Sequence, residues 1–213
     1  MRNLNRLESY ALAATAVAAS IASVGTAAVV STSANISVPL TSIGIYLNVL
    51  TGQSSTSAAA VSGWDVNPYS STTLGFFNPA GDPSTTGVAR LGASATSANA
   101  NVANVAGLTI GNIGGMWFTT TGTSVSTTAP AGRAFVLNSS NNYVGFRFLN
   151  EATNAVHYGY LRFQIGAALT TRTIIEFAYE DVAGASIQVP IPAPGAVALL
   201  GVAGLVGTRR RRA

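Results

Sequence analysis

The sequence predicts an all-β protein, an antiparallel β-sandwich of the jelly-roll or lectin-like kind, and three observations predict it. Charged residues make up only 8% of the 213-residue chain, against roughly 25% in ordinary globular domains. Apolar residues recur at every second position through the last third, which is the period of a half-buried strand. Clusters of Asn, Ser, Gly and Pro separate the apolar runs, and helical periodicity is nearly absent. The length suits one body with one core. That body is expected at residues 34–189, between two end segments of different character.

Within the body, Ile43, Ile45, Leu47 and Val49 alternate and predict a strand that ends at Thr51 and Gly52. Short runs follow at 64–66 and 73–77, separated by a turn signal at Asn67, Pro68, Tyr69 and Ser70. An Ala/Ser/Asn tract at 91–105 reads as a loop or a weakly specified strand pair. Met116, Trp117 and Phe118 form one more short run, and Phe135, Val136 and Leu137 another. The last third is the most regular. Val144, Phe146 and Phe148 share one face opposite Tyr143, Gly145 and Arg147, and Leu161, Phe163 and Ile165 stand opposite Tyr158, Tyr160 and Gln164. Ile175, Phe177 and Tyr179 are expected together on a third strand. Three such strands, about 15 residues apart, predict an antiparallel meander.

The ends carry most of the positive charge. Arg2 and Arg6 precede an uncharged, Ala-rich run at 10–24, and small residues follow at Gly25, Thr26, Ala27 and Ala28. This charged, apolar, small order is that of a secretory signal peptide at 1–28, read by a secretion translocon and cut by signal peptidase after Ala27 or Ala28. The alternative is an amphiphilic or disordered leader, since Glu8 interrupts the positive segment. At the other end, a Pro-rich stretch at 190–195 leads into the apolar run 196–207 and then Arg209, Arg210, Arg211 and Arg212. Twelve apolar residues fall short of the roughly 20 needed for a stable spanning helix. A short, marginal transmembrane helix is predicted, with its arginines held on the cytoplasmic side. A plain tail anchor is the alternative.

Once the ends are set aside, the body holds five arginines, no lysine and six acids. A pI of about 9.9 therefore does not signal nucleic-acid binding, because no basic stripe remains to release phosphate counterions. There is no cysteine, hence no disulfide framework and no thiolate site.

The order Ile191, Pro192, Ala193, Pro194, Gly195, apolar run, arginine cluster resembles the PEP-CTERM sorting tail of exported Gram-negative proteins. Ala193 stands where that family's tail has a central Glu, which makes this a Pro-Ala-Pro variant. The stretches 46–52, 63–69 and 143–160 also resemble the bodies of exported proteins that carry such tails. The resemblance implies a sorting tail at 190–213, an exosortase-like membrane protease as partner, transient inner-membrane anchoring, and delivery to the cell surface or extracellular polysaccharide. It implies no activity for the body.

The search for chemistry in the body gives weaker signals. His157 with Glu151 or Asp181 could assist a serine nucleophile, but no Gly-x-Ser-x-Gly elbow selects one. Glu176 and Glu180 fall on one strand face about 13 Å apart, beyond the separation of glycosidase pairs, and read as solvent-facing strand residues. Asp65, Asn67, Asn78 and Asp82 offer oxygen ligands to a hard cation, yet their spacing matches ordinary turns better. No enzyme, metal site or cofactor is therefore expected. Trp64, Tyr69 and Trp117, with Tyr158 and Tyr160, are candidates for stacking a sugar ring. The same aromatics serve equally as core or sheet packing.

Overall fold

The computed structural model describes residues 28–79, 86–89, 102, 104–111, 117–118, 123–125, 127 and 133–191. The expected signal helix, the tail from Pro192 to Arg212, Asp82 and most of the 91–105 tract lie outside them. Among the described residues the structure is mostly β, with antiparallel sheets, no α-helix and one short 3-10 turn at Ala58–Ala60. No helix among them is long and apolar enough to cross a membrane.

The strands are β1 (Val29–Ser37), β2 (Tyr46–Leu47), β3 (Ser54–Ser55), β4 (Asn67–Tyr69), β5 (Gly75–Phe77), β6 (Gly87–Ala89) and β7 (Thr109–Ile110). They continue as β8 (Trp117–Phe118), β9 (Thr123–Ser124), β10 (Ser139–Asn150), β11 (Ala155–Ile165), β12 (Arg172–Glu180) and β13 (Ile187–Gln188). The principal sheet runs β1-β12-β11-β10-β6-β8, and every pairing in it is antiparallel. Its middle is the expected meander β10-β11-β12. A three-stranded sheet, β4-β5-β9, and two two-stranded ribbons, β2-β3 and β7-β13, complete the set.

The alternation on β10 and β11 follows from the sequence. Val144, Phe146, Phe148, Leu161, Phe163 and Ile165 are buried on one face of the principal sheet. Against them pack Leu47 and Phe76 from the smaller sheets and Val49, Val66, Leu74 and Val125 from the segments beside them, with the rings of Phe76 and Phe163 meeting edge to face at 6.0 Å. The opposite face is also covered. Tyr143, Tyr158, Tyr160 and Ala178 are buried there with Val105, Ile110, Ile187 and Val189. Glu176 and Glu180 are therefore not the solvent-facing residues predicted: Glu180 is buried and Glu176 half-buried. A sheet covered on both sides leaves few open positions on its central strands.

Strand β12 departs from simple alternation. Opposite it, Arg162 pairs with Glu176 and the next residue, Phe163, pairs with Ile174. Ile175 is the extra residue of a β-bulge, and such an insertion turns the chain over by one position. Ile174, not Ile175, thus joins Phe177 in the core, while Ile175 is only half-buried.

Two further expectations are corrected. Asn67, Pro68 and Tyr69 form strand β4, and the turn comes three residues later, where the Ser70 hydroxyl accepts the Thr73 amide at 3.2 Å. Pro68 is tolerated because it is paired on a short three-residue strand at the sheet's edge. The run at Phe135, Val136 and Leu137 is no strand: Phe135 is buried, whereas Val136 and Leu137 are exposed.

Both ends of the body are tied down. Ala28 donates its backbone N–H to Asp181 Oδ1 at 2.9 Å, and Asp181 N–H returns a bond to the Ala28 carbonyl at 3.1 Å. Val189 is buried and bonds to the Leu108 carbonyl at 2.9 Å.

Candidate functional site

The candidate site lies on the outer side of β4 and β5. Strand alternation turns Pro68 and its partner Phe76 inward, so Asn67, Tyr69 and Phe77 face outward together. Tyr69 stands opposite Gly75, which has no side chain to fill the space beside the tyrosine ring. The segment 41–46 builds the facing wall. Ile45 N–H bonds to the Pro68 carbonyl at 3.1 Å, and Asn67 Nδ2 donates to the Ile43 carbonyl at 2.9 Å.

This close approach depends on Gly44. Its φ is +73°, and a Cβ there would lie 2.3 Å from the Pro68 carbonyl oxygen, so any other residue would clash as well as being strained. The left-handed residue also breaks the alternation expected from Ile43 onward. Ile45, Leu47 and Val49 are buried as predicted, but Ile43 is turned out and is 53% exposed.

The result is a pocket of about 230 Å³ lined by Ser42, Ile43, Tyr46, Asn67, Tyr69 and Phe77. Trp64 stands behind two of these, edge to face with Tyr46 at 4.8 Å and stacked on Phe77 at 5.7 Å. Tyr46, Trp64, Tyr69 and Phe77 are all half-buried. No residue of the lining is charged. Asn67 is buried and its Oδ1 has no hydrogen-bond partner, which is rare for a buried polar atom and calls for an explanation.

Of the three residues singled out for sugar stacking, Trp64 and Tyr69 thus belong to one site. Trp117 is elsewhere, on β8 of the principal sheet, where its ring stacks on Tyr158 at 5.8 Å beneath the Arg147 guanidinium at 4.9 Å. Its Nε1 is buried without a partner. Tyr158 and Tyr160 are buried in the sheet's second face. Sequence reasoning missed Tyr46, Phe77 and Ser42. Only Gly44 hinted at the chain reversal that gathers them, since a lone Gly inside a strand pattern marks a break or a close backbone approach.

The remaining candidates are occupied with structure. His157 is buried, hydrogen-bonds through Nδ1 to the Glu180 carbonyl at 2.8 Å, and stacks on Phe148 at 5.6 Å. The Glu176 carboxylate accepts the Tyr160 hydroxyl at 2.7 Å and the Ser31 hydroxyl at 3.0 Å on one oxygen, and pairs with Arg162 at 3.4 Å through the other. Burial, then the bond to Glu176, pushes the Tyr160 phenol above its ordinary value. Asp65 is not a surface turn residue: it is buried and accepts the Val49 N–H at 2.8 Å. Burial is the main cause that pushes its carboxyl up to about 8, the Val49 bond opposing and the nearby Glu151 charge adding to the rise. Asn67 and Asn78 are buried as well. Among the described residues, no three His, Cys, Asp or Glu side chains are grouped as a metal site would require.

Arg172 is a further buried ionisable group. Its guanidinium donates to the carbonyls of Pro39 (3.1 Å), Leu169 (3.3 Å) and Ser70, so a cation binds three loops together by their backbone dipoles. Burial holds its pKa below the ordinary arginine value.

Comparison with protein-family models, curated proteins and solved structures finds no match for this chain.

Proposed function

We propose that this chain is an exported bacterial protein of the cell surface or extracellular polysaccharide matrix. In this reading residues 1–28 are the signal peptide, 34–189 a structural or adhesive β-sandwich, and 190–213 a PEP-CTERM-type tail processed by an exosortase-like membrane protease. The observation that supports it is a β body whose first and last described segments are bonded to its own strands. Among the described residues, Ala28, beside the expected signal-peptidase site, is bonded to Asp181, and the buried Val189 directly precedes the Pro-rich stretch. A structural role is favoured over catalysis because His157, Glu176 and Asp65 each hold backbone or neighbouring strands in place.

Fractionation of the native host, with mass measurement, tests the reading. The exported form should start near Ala28 and lack Arg209 to Arg212. Serine at those four positions should mislocalise the precursor while the body stays folded, and Pro192→Ala with Pro194→Ala should accumulate an uncleaved, membrane-held form. Recovery of a mature protein that keeps Arg212 in the membrane would replace this reading with a tail anchor.

A further inference from the structure

Resting on the surface-matrix reading, we infer that the pocket between residues 42–46 and the β4–β5 hairpin is a binding site for one ring of a neutral saccharide. Three features of its lining point to that ligand class. The first is shape and apolar surface. At about 230 Å³ the pocket is smaller than the roughly 300–1,000 Å³ of drug-sized ligand sites, so it holds one ring rather than an extended molecule. Tyr46, Tyr69 and Phe77 offer aromatic surface of the kind against which the C–H face of a pyranose packs.

The second feature is the distribution of polar atoms. Among the described residues, the hydroxyls of Ser42, Tyr46 and Tyr69 have no hydrogen-bond partner, and neither does Asn67 Oδ1. Asn67 cannot relieve this by turning its amide over, because Nδ2 is committed to the Ile43 carbonyl. A purely apolar guest, such as a proline or leucine side chain of a partner protein, would bury the three hydroxyls without partners, at a cost for each. A ring that carries both donors and acceptors on its rim matches them.

The third feature is charge. The lining has no cation to receive a uronate carboxylate or a sulfate, and no carboxylate to receive an amino sugar. This selects a neutral hexose or N-acetylhexosamine. Stiffness adds to the fit: Gly44 locks one wall onto β4, and Trp64 backs both Tyr46 and Phe77, so the pocket is formed before a ligand arrives.

The test is a titration of the full chain, followed by tryptophan fluorescence and ligand-observed NMR, with glucose, galactose, mannose, N-acetylglucosamine and cellohexaose. Hexagalacturonate and a proline-rich peptide serve as the competing classes. Saturable binding of at least one neutral sugar is expected, in about the millimolar range for a single ring. Tyr69→Ala should weaken it at least about tenfold, and Trp117→Phe should leave it unchanged. Ile43→Glu, at an exposed rim position, places a charge at the mouth without touching the core and should also abolish binding, so a folding defect in the Tyr69 variant does not decide the matter. The inference is overturned if none of the neutral sugars saturates, if Ile43→Glu binds as wild type, or if hexagalacturonate or the peptide binds more tightly. Host fractionation is independent of all these outcomes, so an exported protein that binds no sugar defeats only this inference.

Discussion

Asp65 holds a carboxyl in the protein interior by a single backbone donor, and this makes it a residue through which pH reaches the fold. Its folded value of about 8 lies above the 3.8 of an unfolded chain. Below 3.8 both states are protonated, and between 3.8 and 8 only the folded state keeps the proton, so stability falls as pH rises through that window. Asp65→Asn keeps an acceptor for Val49 and removes the titration. The variant should therefore flatten the pH profile and be more stable than wild type at pH 9 by about 1–3 kcal/mol, read from urea melts. Arg172 poses the opposite case, since its charge is already compensated by carbonyls. Arg172→Met would strand the acceptors of Pro39, Ser70 and Leu169, and should lower stability by about 2–4 kcal/mol at every pH. Neither role could be read from sequence. Asp65 sits in the short run 64–66 just before a turn signal, and only the fold shows that its neighbours bury it.

At the scale of elements, the long central strands were legible because β10 and β11 each carry an unbroken alternation, and alternation is what a pleated surface imposes. What escaped were the places where one residue breaks the period. The bulge at Ile175 exchanges it with Ile174, and the left-handed Gly44 turns Ile43 out of the core. Both follow from hydrogen-bond register between strands distant in sequence, which no local pattern records. The same breaks yield measurable asymmetries. Ile174→Ala should cost about 2–4 kcal/mol and Ile175→Ala less than about 1.5, although adjacent isoleucines look equivalent in the chain. Gly44→Ala should destabilise by about 1–3 kcal/mol and open the wall of the aromatic pocket, visible as a change in Trp64 emission. The pocket was half legible: Trp64 and Tyr69 stood out as aromatics flanking a turn signal. Tyr46 and Phe77 come from other strands, and only the antiparallel pairing and the reversal at Gly44 bring them to the same place.

For the whole molecule, the decisive arrangement is a sheet buried on both faces and closed at both ends, so residues 28–191 alone should fold. Circular dichroism of that fragment should be β-type with a single cooperative melt, and a mainly helical spectrum would contradict it. If the chain is cut at the proposed signal-peptidase site, one of those closures has a chemical consequence. In the precursor, the group that Asp181 holds is the peptide N–H of Ala28. A cut after Ala27 turns that amide into an α-ammonium at the same point, facing the same carboxylate, and a neutral bond becomes a charge-assisted one. Proteolysis would then tighten the residue just before β1 instead of fraying it, and the new terminus would resist aminopeptidases. Asp181→Ala should leave export unchanged yet allow the mature chain to be trimmed residue by residue from Ala28, a ladder that mass spectrometry resolves directly.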